Sequence, residues 1–183
     1  MPPLKGALHA HSTLSDGKMP PGEVADHYRD LGFDFLAITD HDYLLRPNHR
    51  EMIPLDHEGI LVFAGIELTV FERGYVHVSR IFGDAEVLHV FNHPGEYNLK
   101  FDEVMRVIEA ISQKYPLEAV EISSKGFYTA EFNDARIPYP KVASDDSHTR
   151  AGCGRAWVEV ECARDRDEIL RAIRDGRAKP CFR

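Results

Sequence analysis

Short apolar runs that each stop on a histidine or a carboxylate constrain this chain more than any other feature. Phe35 to Ile38 is a continuous apolar run too short for a helix, and it ends at Thr39-Asp40-His41-Asp42. Before it, Glu23 to Leu31 reads as a short helix after the Pro20-Pro21-Gly22 turn, with Val24, Tyr28 and Leu31 on one side and Gly32 as a C-cap. A fully apolar strand reached through a helix is the signature of a βαβ unit in a parallel sheet buried on both faces. The pattern then repeats. Ile60 to Phe63 leads to Gly65-Ile66-Glu67-Leu68, Tyr75 to Phe82 reads as a hairpin arm carrying His77, and Glu86 to Phe91 runs into Asn92-His93-Pro94-Gly95.

Phe101 to Tyr115 is the strongest helix, because Val104, Val107, Ile108 and Ile111 keep a helical spacing and Pro116 stops it. Leu117 to Ile122, Lys141 to Ala143 and Ala156 to Val160 read as strands, and Arg166 to Arg174 as a last amphipathic helix with Ile169, Leu170 and Ile173 inward. Residues 43 to 58 read as a loop with one helical turn, and a polar segment runs on to Pro140. At 183 residues this alternation predicts one α/β domain.

The stretch LHAHSTLSDG, Leu8 to Gly17, opens the chemistry. If Leu8 to His11 is extended, His9 and His11 fall at i and i+2 on one face, about 7 Å apart along the chain and close enough to share a metal. Asp16 then brings a carboxylate beside them from a Ser-Asp-Gly turn. His41, Glu67, His93, Asp146 and His148 likewise lie at or just past the ends of candidate strands, the edge where barrel enzymes keep their chemistry. A mixed imidazole and carboxylate set favours Zn, Mn or Fe over Ca or Mg.

Composition narrows the classes. The net charge of −8 opposes a broad electrostatic footprint on nucleic acid, although bound divalent ions would reverse the local field of one pocket. Cys153, Cys162 and Cys181 are an odd set without a Cys-x-x-Cys spacing, so they read as small hydrophobes rather than a disulfide framework. No apolar run approaches the length of about 18 residues that crosses a membrane, and no basic-then-apolar leader stands at the start; a cytoplasmic location is the expectation.

The segments LHAHSTLSDG, FDFLAITDHD, GIEL, FNHPG and SDDSH, in this order and spacing, resemble the PHP (polymerase and histidinol phosphatase) superfamily from the first strand to the last helix. The resemblance implies a distorted TIM-like (β/α)7 barrel of about seven parallel strands, one domain over residues 1–183 with no lid insertion, and two or three divalent ions at its mouth. It implies a metal-dependent phosphoesterase that cleaves a phosphate monoester or diester by attack of a metal-bridging hydroxide.

Carried over by residue, His9, His11, Glu67 and Asp146 would hold a first ion. Glu67 would bridge to a second completed by His77 and His93, and Asp16, His41 and His148 would hold a third. Glu67, Asp146 and His148 are the catalytic candidates. Lys125, Arg136 and Arg150, with Tyr128, are candidates to clamp a phosphate, Arg150 first among them. His27, His49, His57 and His89 read as surface or satisfied core residues, although His89 shares strand parity with His93 and so competes with His77. Asp145 stands where the pattern has a small Ser or Ala, which leaves it either supporting the ligands or solvated. The expected partner is a small phosphorylated substrate, or a nucleic-acid end as substrate. The rival readings are an exonuclease on short nucleic-acid ends, a non-catalytic metal-binding module, and hydrolysis of another ester or an amide.

Overall fold

A computed structural model describes residues 2–183. In chain order its elements are β1 (Leu4–Ala7), α1 (Pro21–Asp30), β2 (Phe35–Ile38), β3 (Leu61–Phe71), β4 (Tyr75–Phe82), β5 (Val87–Phe91), α2 (Phe101–Ser112), β6 (Ala119–Glu121), β7 (Ser123–Ser124), β8 (Phe127–Tyr128), β9 (Lys141–Val142), β10 (Ala156–Val160), α3 (Arg166–Arg174) and β11 (Ala178–Phe182). Nine strands form one sheet in the order β11-β10-β1-β2-β3-β4-β5-β6-β9, and β7 with β8 makes a separate small hairpin.

The fold is the expected distorted α/β barrel, and its distortion is specific. The pairs β1–β2, β2–β3, β5–β6 and β6–β9 are parallel, whereas β3–β4, β4–β5, β1–β10 and β10–β11 are antiparallel. The sheet is therefore mixed, with nine strands instead of about seven parallel ones, because the β3–β4–β5 meander and the terminal β10–β11 hairpin replace helix crossovers.

β2 is buried along its whole length, as its unbroken apolar run requires. Its alternate residues serve two cores. Phe35 and Ala37 pack with Phe63, Ile81, Val90 and Val158, and α3 adds Ile169, Leu170 and Ile173 to that interior cluster. Leu36 and Ile38 face outward under Val24, Ala25 and Tyr28 of α1. The interior is tight at Gly6, where an added Cβ would lie 2.0 Å from the Phe35 ring. A third cluster joins Val104, Val107, Ile108 and Ile111 of α2 to Val78, Phe91 and Val120.

α3 closes one end of the barrel. The Arg166 guanidinium donates to the Val62 carbonyl near the start of β3, and Asp167 accepts the backbone N–H groups of Asp84, Ala85 and Glu86 in the β4–β5 turn. The opposite end is left open, and it is where the histidines gather.

Several boundaries differ from the sequence expectation. β1 ends at Ala7, so Leu8 to His11 lies past the strand; a single bridge, Ala10 to Ser147, keeps it extended and preserves the alternation. β3 does not end at Glu67 but continues to Phe71, because β4 pairs with it to the hairpin tip at Phe71–Tyr75. The 43–58 loop contains two short helical turns, Asp42–Leu44 and His49–Met52. β11 had no counterpart in the sequence reading, because Pro180 interrupts its alternation. The cysteines are free, with Cys153 buried and the others half-buried.

Candidate metal centre

Three loops deliver six of the nine ligand-type side chains to one point, where Glu67 of β3, His77 of β4 and His93 after β5 meet them. The backbone N–H of His11 donates to the Ser147 carbonyl (2.9 Å) and that of Thr39 to the Ala10 carbonyl (2.8 Å), so the segments after β1, β2 and β9 run side by side beyond the sheet. Asp40 then folds the 12–16 turn back on itself. Its carboxylate accepts from the Ser12 N–H (2.8 Å), the Ser12 hydroxyl (2.7 Å) and the Ser15 hydroxyl (2.5 Å), and this returns Asp16 toward the histidines. Gly17 closes the same turn, where a Cβ would sit 2.6 Å from the His11 carbonyl. His93 (φ 27°) and Asp146 (φ 48°) hold left-handed backbone, a strained state for these residues of the kind that concentrates at functional sites.

Glu67 is the hub, fully buried. Its Oε1 lies 3.2 Å from His9 Nε2, 3.1 Å from His77 Nδ1 and 3.1 Å from His93 Nε2, and its Oε2 lies 2.9 Å from His41 Nδ1 and 3.4 Å from His11 Nε2. Asp146 Oδ1 stands 3.2 Å from His11 Nε2 and 3.5 Å from His9 Nε2, while the two imidazole nitrogens are 3.1 Å apart. On the outer side, Asp16 reaches His148 Nε2 at 3.2 Å, His41 Nε2 at 3.6 Å and His11 Nδ1 at 3.7 Å. The donor atoms fall into three sets that each fit within 4.8 Å: His9, His11 and Glu67; His41, Glu67 and His77; and His11, Asp16, His41 and His148.

This donor set fits divalent ions. Ligand atoms about 2.0–2.2 Å from a common ion stand roughly 3 to 3.5 Å from one another, which is the spacing seen throughout the cluster. More tellingly, His41 Nδ1, His77 Nδ1 and Glu67 Oε2 are buried without a hydrogen-bond partner even though they lie about each other at near-contact distance. Atoms that close and not aligned on each other are aimed at a third point.

The electrostatics say the same. Burial alone would push Glu67 and Asp146 up, yet the surrounding imidazoles outweigh it and hold both carboxyls well below their usual range. Burial would likewise depress His9, His41 and His93, but the adjoining carboxylates, Glu67 in each case, raise all three. His11 is the exception, lowered by burial. Positive charge is thus required inside the cluster, and protons on imidazoles supply it where cations would.

All nine metal-ligand candidates, His9, His11, Asp16, His41, Glu67, His77, His93, Asp146 and His148, meet at this one mouth. His89 does not. The backbone turns at His93, so strand parity no longer relates the two rings, and His89 lies beside Tyr115 and Glu118, where burial and the Arg80 charge depress it to about 4. His57 pairs with Asp26 (3.0 Å), and His27 Nε2 lies 3.2 Å from the Arg150 carbonyl.

Among the clamp candidates, Lys125 borders the cavity of about 190 Å³ formed by His41, Glu67, His77, His93, Glu96, Asp146 and His148. Arg136 is turned away, held by Asp134 and laid over the Phe101 ring. Arg150 does not line this cavity. Asp145 is not solvated. It is buried and accepts from the Tyr28 hydroxyl (2.8 Å) and the N–H groups of Gly154, Arg155 and Ala156 (2.7 Å each).

One residue of the cluster escaped the sequence reading. Glu121, at the end of β6 and buried, lies 3.3 Å from His9 Nδ1, accepts the His93 backbone N–H (3.1 Å) and takes the Ser123 hydroxyl (2.8 Å). The available signal was a lone carboxylate closing an otherwise apolar strand, the same signal that marks Glu67.

A family described as PHP-associated matches residues 129–178. A 5′-3′ exoribonuclease of Haemophilus influenzae is 29% identical over 158 residues, covering 84% of this chain and 50% of that protein. The chain therefore spans about half the length of that curated relative. Among solved structures, a two-domain protein from Bacteroides vulgatus containing a predicted PHP-like metal-dependent phosphoesterase superposes with a TM-score of 0.70 at 21% identity, over 98% of this chain and 64% of that one. PsfC from Pseudomonas syringae superposes with a TM-score of 0.70 at 15% identity, over 100% of this chain and 93% of that one.

Proposed function

We propose that this chain is a metal-dependent phosphoesterase of the PHP type acting on a phosphate monoester or diester, with its reaction centre at the Glu67 cluster; the fold, the partial family match and the donor set support that reading. The observation that carries the reading is the set of buried, unpaired nitrogen and oxygen atoms of His41, His77 and Glu67 that converge without bonding to each other. His9, His11, Glu67 and Asp146 would hold one ion, Glu67 with His77 and His93 a second, and Asp16, His41 and His148 a third. Zn, Mn or Fe suit these donors. When bound, such ions polarise phosphoryl oxygens and lower the pKa of a shared water.

The chain's own residues do the rest. Glu67 spans the cluster and fixes the spacing between sets. Asp146, held in strained backbone, sets its carboxylate against His9 and His11. His148 borders the cavity and bonds Asp16, so its imidazole faces the ester while its orientation stays fixed. Lys125, on the same rim, supplies a charge-assisted hydrogen bond to a phosphoryl oxygen. A nucleic-acid end as the substrate is favoured by the likeness to the Haemophilus exoribonuclease.

Purified protein loaded with Zn or Mn is expected to hydrolyse p-nitrophenyl phosphate, its bis-ester or a short RNA, and His9→Ala or Asp146→Ala to abolish that turnover together with bound metal. Full turnover by either variant with metal loaded would overturn the assignment. Absence of activity on every phosphoester despite full metal occupancy would favour a non-catalytic binding module.

A further inference from the structure

A second and larger cavity adjoins the first. It has a volume of about 350 Å³ and is lined by Lys125, Asp145, Asp146, Ser147, His148, Thr149, Gly152 and Arg155, so it shares Lys125, Asp146 and His148 with the ligand-lined cavity. The ligand-lined cavity, at about 190 Å³, is smaller than the roughly 300 Å³ at which small-molecule sites begin. It has room for the reacting group, and the remainder of a substrate must lie next door.

The lining of the larger cavity carries two cations, Lys125 and Arg155, and two carboxylates, Asp145 and Asp146. Neither Lys125 nor Arg155 forms an ion pair among the described residues, and Arg155 spends one N–H on the Ala151 carbonyl (3.1 Å). Both carboxylates are engaged elsewhere: Asp145 accepts from the Tyr28 hydroxyl and the N–H groups of Gly154, Arg155 and Ala156, and Asp146 faces His9 and His11, which leaves Lys125 and Arg155 as the groups to meet an anion.

Lys125 is placed there against its own backbone preference. Lys125 (φ 49°) and Gly126 (φ 81°) form the two-residue turn between β7 and β8, the positions where positive φ favours Asn-Gly or Asp-Gly. A lysine in that place costs about 1 kcal/mol, the kind of strain that marks function. Gly126 packs against the Arg155 stem, where a Cβ would approach within 2.5 Å, so the turn that carries Lys125 is seated on Arg155. Phe127 follows in β8, 66% exposed, with its ring 5.4 Å from the Arg155 guanidinium. Phe127 stands outside the cavity lining, and an exposed aromatic ring beside the Arg155 cation is the combination that takes up a nucleotide base and its phosphate.

We infer that this cavity is a second phosphate subsite, in which Lys125 and Arg155 bind the phosphate of a nucleotide end adjacent to the scissile one and Phe127 flanks its base. The inference rests on the phosphoesterase reading and deepens it, by naming the substrate as a nucleotide end with two neighbouring phosphates. Lys125, shared by both cavities, spans the two phosphates.

The test compares a dinucleotide carrying a 5′-phosphate with the same dinucleotide ending in a 5′-hydroxyl, using metal-loaded protein. Wild type is expected to favour the phosphorylated form by at least about tenfold in kcat/KM, expressed mainly in KM. Arg155→Gln, which keeps the stem against Gly126, and Lys125→Ala are each expected to cut that preference to about twofold or less, at unchanged melting temperature. Equal use of the two dinucleotides by wild type, or a preference that survives both substitutions, overturns the subsite.

p-Nitrophenyl phosphate separates this outcome from failure of the phosphoesterase reading. If wild type cleaves neither it nor the dinucleotides, that reading fails. The subsite is then judged by calorimetric titration of the 5′-phosphorylated dinucleotide, where about tenfold weaker binding by Arg155→Gln supports it and equal binding overturns it.

Discussion

Glu121 shows how much of a metal centre depends on a residue that would touch no ion. Its carboxylate faces His9 Nδ1 at 3.3 Å, which places a proton on that nitrogen and leaves Nε2, 3.2 Å from Glu67, as the free donor. The same carboxylate accepts the N–H of His93, a residue held in left-handed backbone, and so steadies two ligands from different loops. Glu121→Gln keeps the volume but removes the charge and offers His9 a donor as readily as an acceptor. Divalent-ion affinity measured by calorimetry is expected to fall about 10–100-fold, as for other partners behind a metal-bound histidine. Wild-type affinity in that variant would show that Glu121 only fills space. Asp145 belongs to the same scale with a different job: Asp145→Ala leaves three N–H groups, that of Ala156 fully buried, and the buried Tyr28 hydroxyl without their acceptor, and urea unfolding is expected to register a loss of about 2–4 kcal/mol.

At the scale of elements, α3 acts as the closure of the barrel more than as a crossover. Asp167 accepts three consecutive N–H groups from the β4–β5 turn, and Arg174 donates to Glu86 and to the Val87 carbonyl at the start of β5. Asp167→Ala is therefore expected to cost about 1–3 kcal/mol by urea unfolding while leaving metal binding at the opposite end unchanged; a loss of bound metal would contradict this separation of ends. Elements whose patterns are complete within themselves were legible from the chain alone: β2, β4, β10 and α3 have the bounds their residues predict. Those defined by a distant partner were not. β3 is lengthened by pairing with β4, and β11 exists because β10 offers it an edge despite Pro180. The candidate ligands were legible because histidine and carboxylate at strand ends are unusual residues in unusual places. Glu121 and Arg155 were not, since one carboxylate or one arginine beside a strand is ordinary until a contact from His9 or the β7–β8 turn gives it meaning. His89 lies outside the cluster, as its reading among the non-ligand histidines has it; the parity that made it a rival to His77 says nothing beyond the point where His93 turns the backbone.

For the whole molecule, the cluster ties stability to pH in opposite ways on either side of neutrality. His9, His41 and His93 are raised, so the folded state holds protons the unfolded chain would release. Their contribution is complete below about pH 6.5, the unperturbed histidine value, and is lost as pH rises through the folded values. Glu67 and Asp146 are lowered, so their contribution is complete above about pH 4.3 and is lost as pH falls. His89, depressed to about 4, and His11 add to that acid-side loss, because the unfolded chain takes up their protons first, from about pH 6.5 downward. Metal-free protein should then melt highest in a window around pH 6 to 7 and weaken toward both sides. Divalent ions change only one flank. They replace the imidazole protons, bind more tightly as those protons leave, and stabilise by mass action, so alkaline pH should no longer weaken the fold. Melting curves from pH 5 to 9, in chelator and in excess Zn or Mn, read this directly. The gap between the two series is expected to widen steadily above neutrality, whereas parallel series would mean that the histidine cluster carries its protons for structural reasons and not in place of cations.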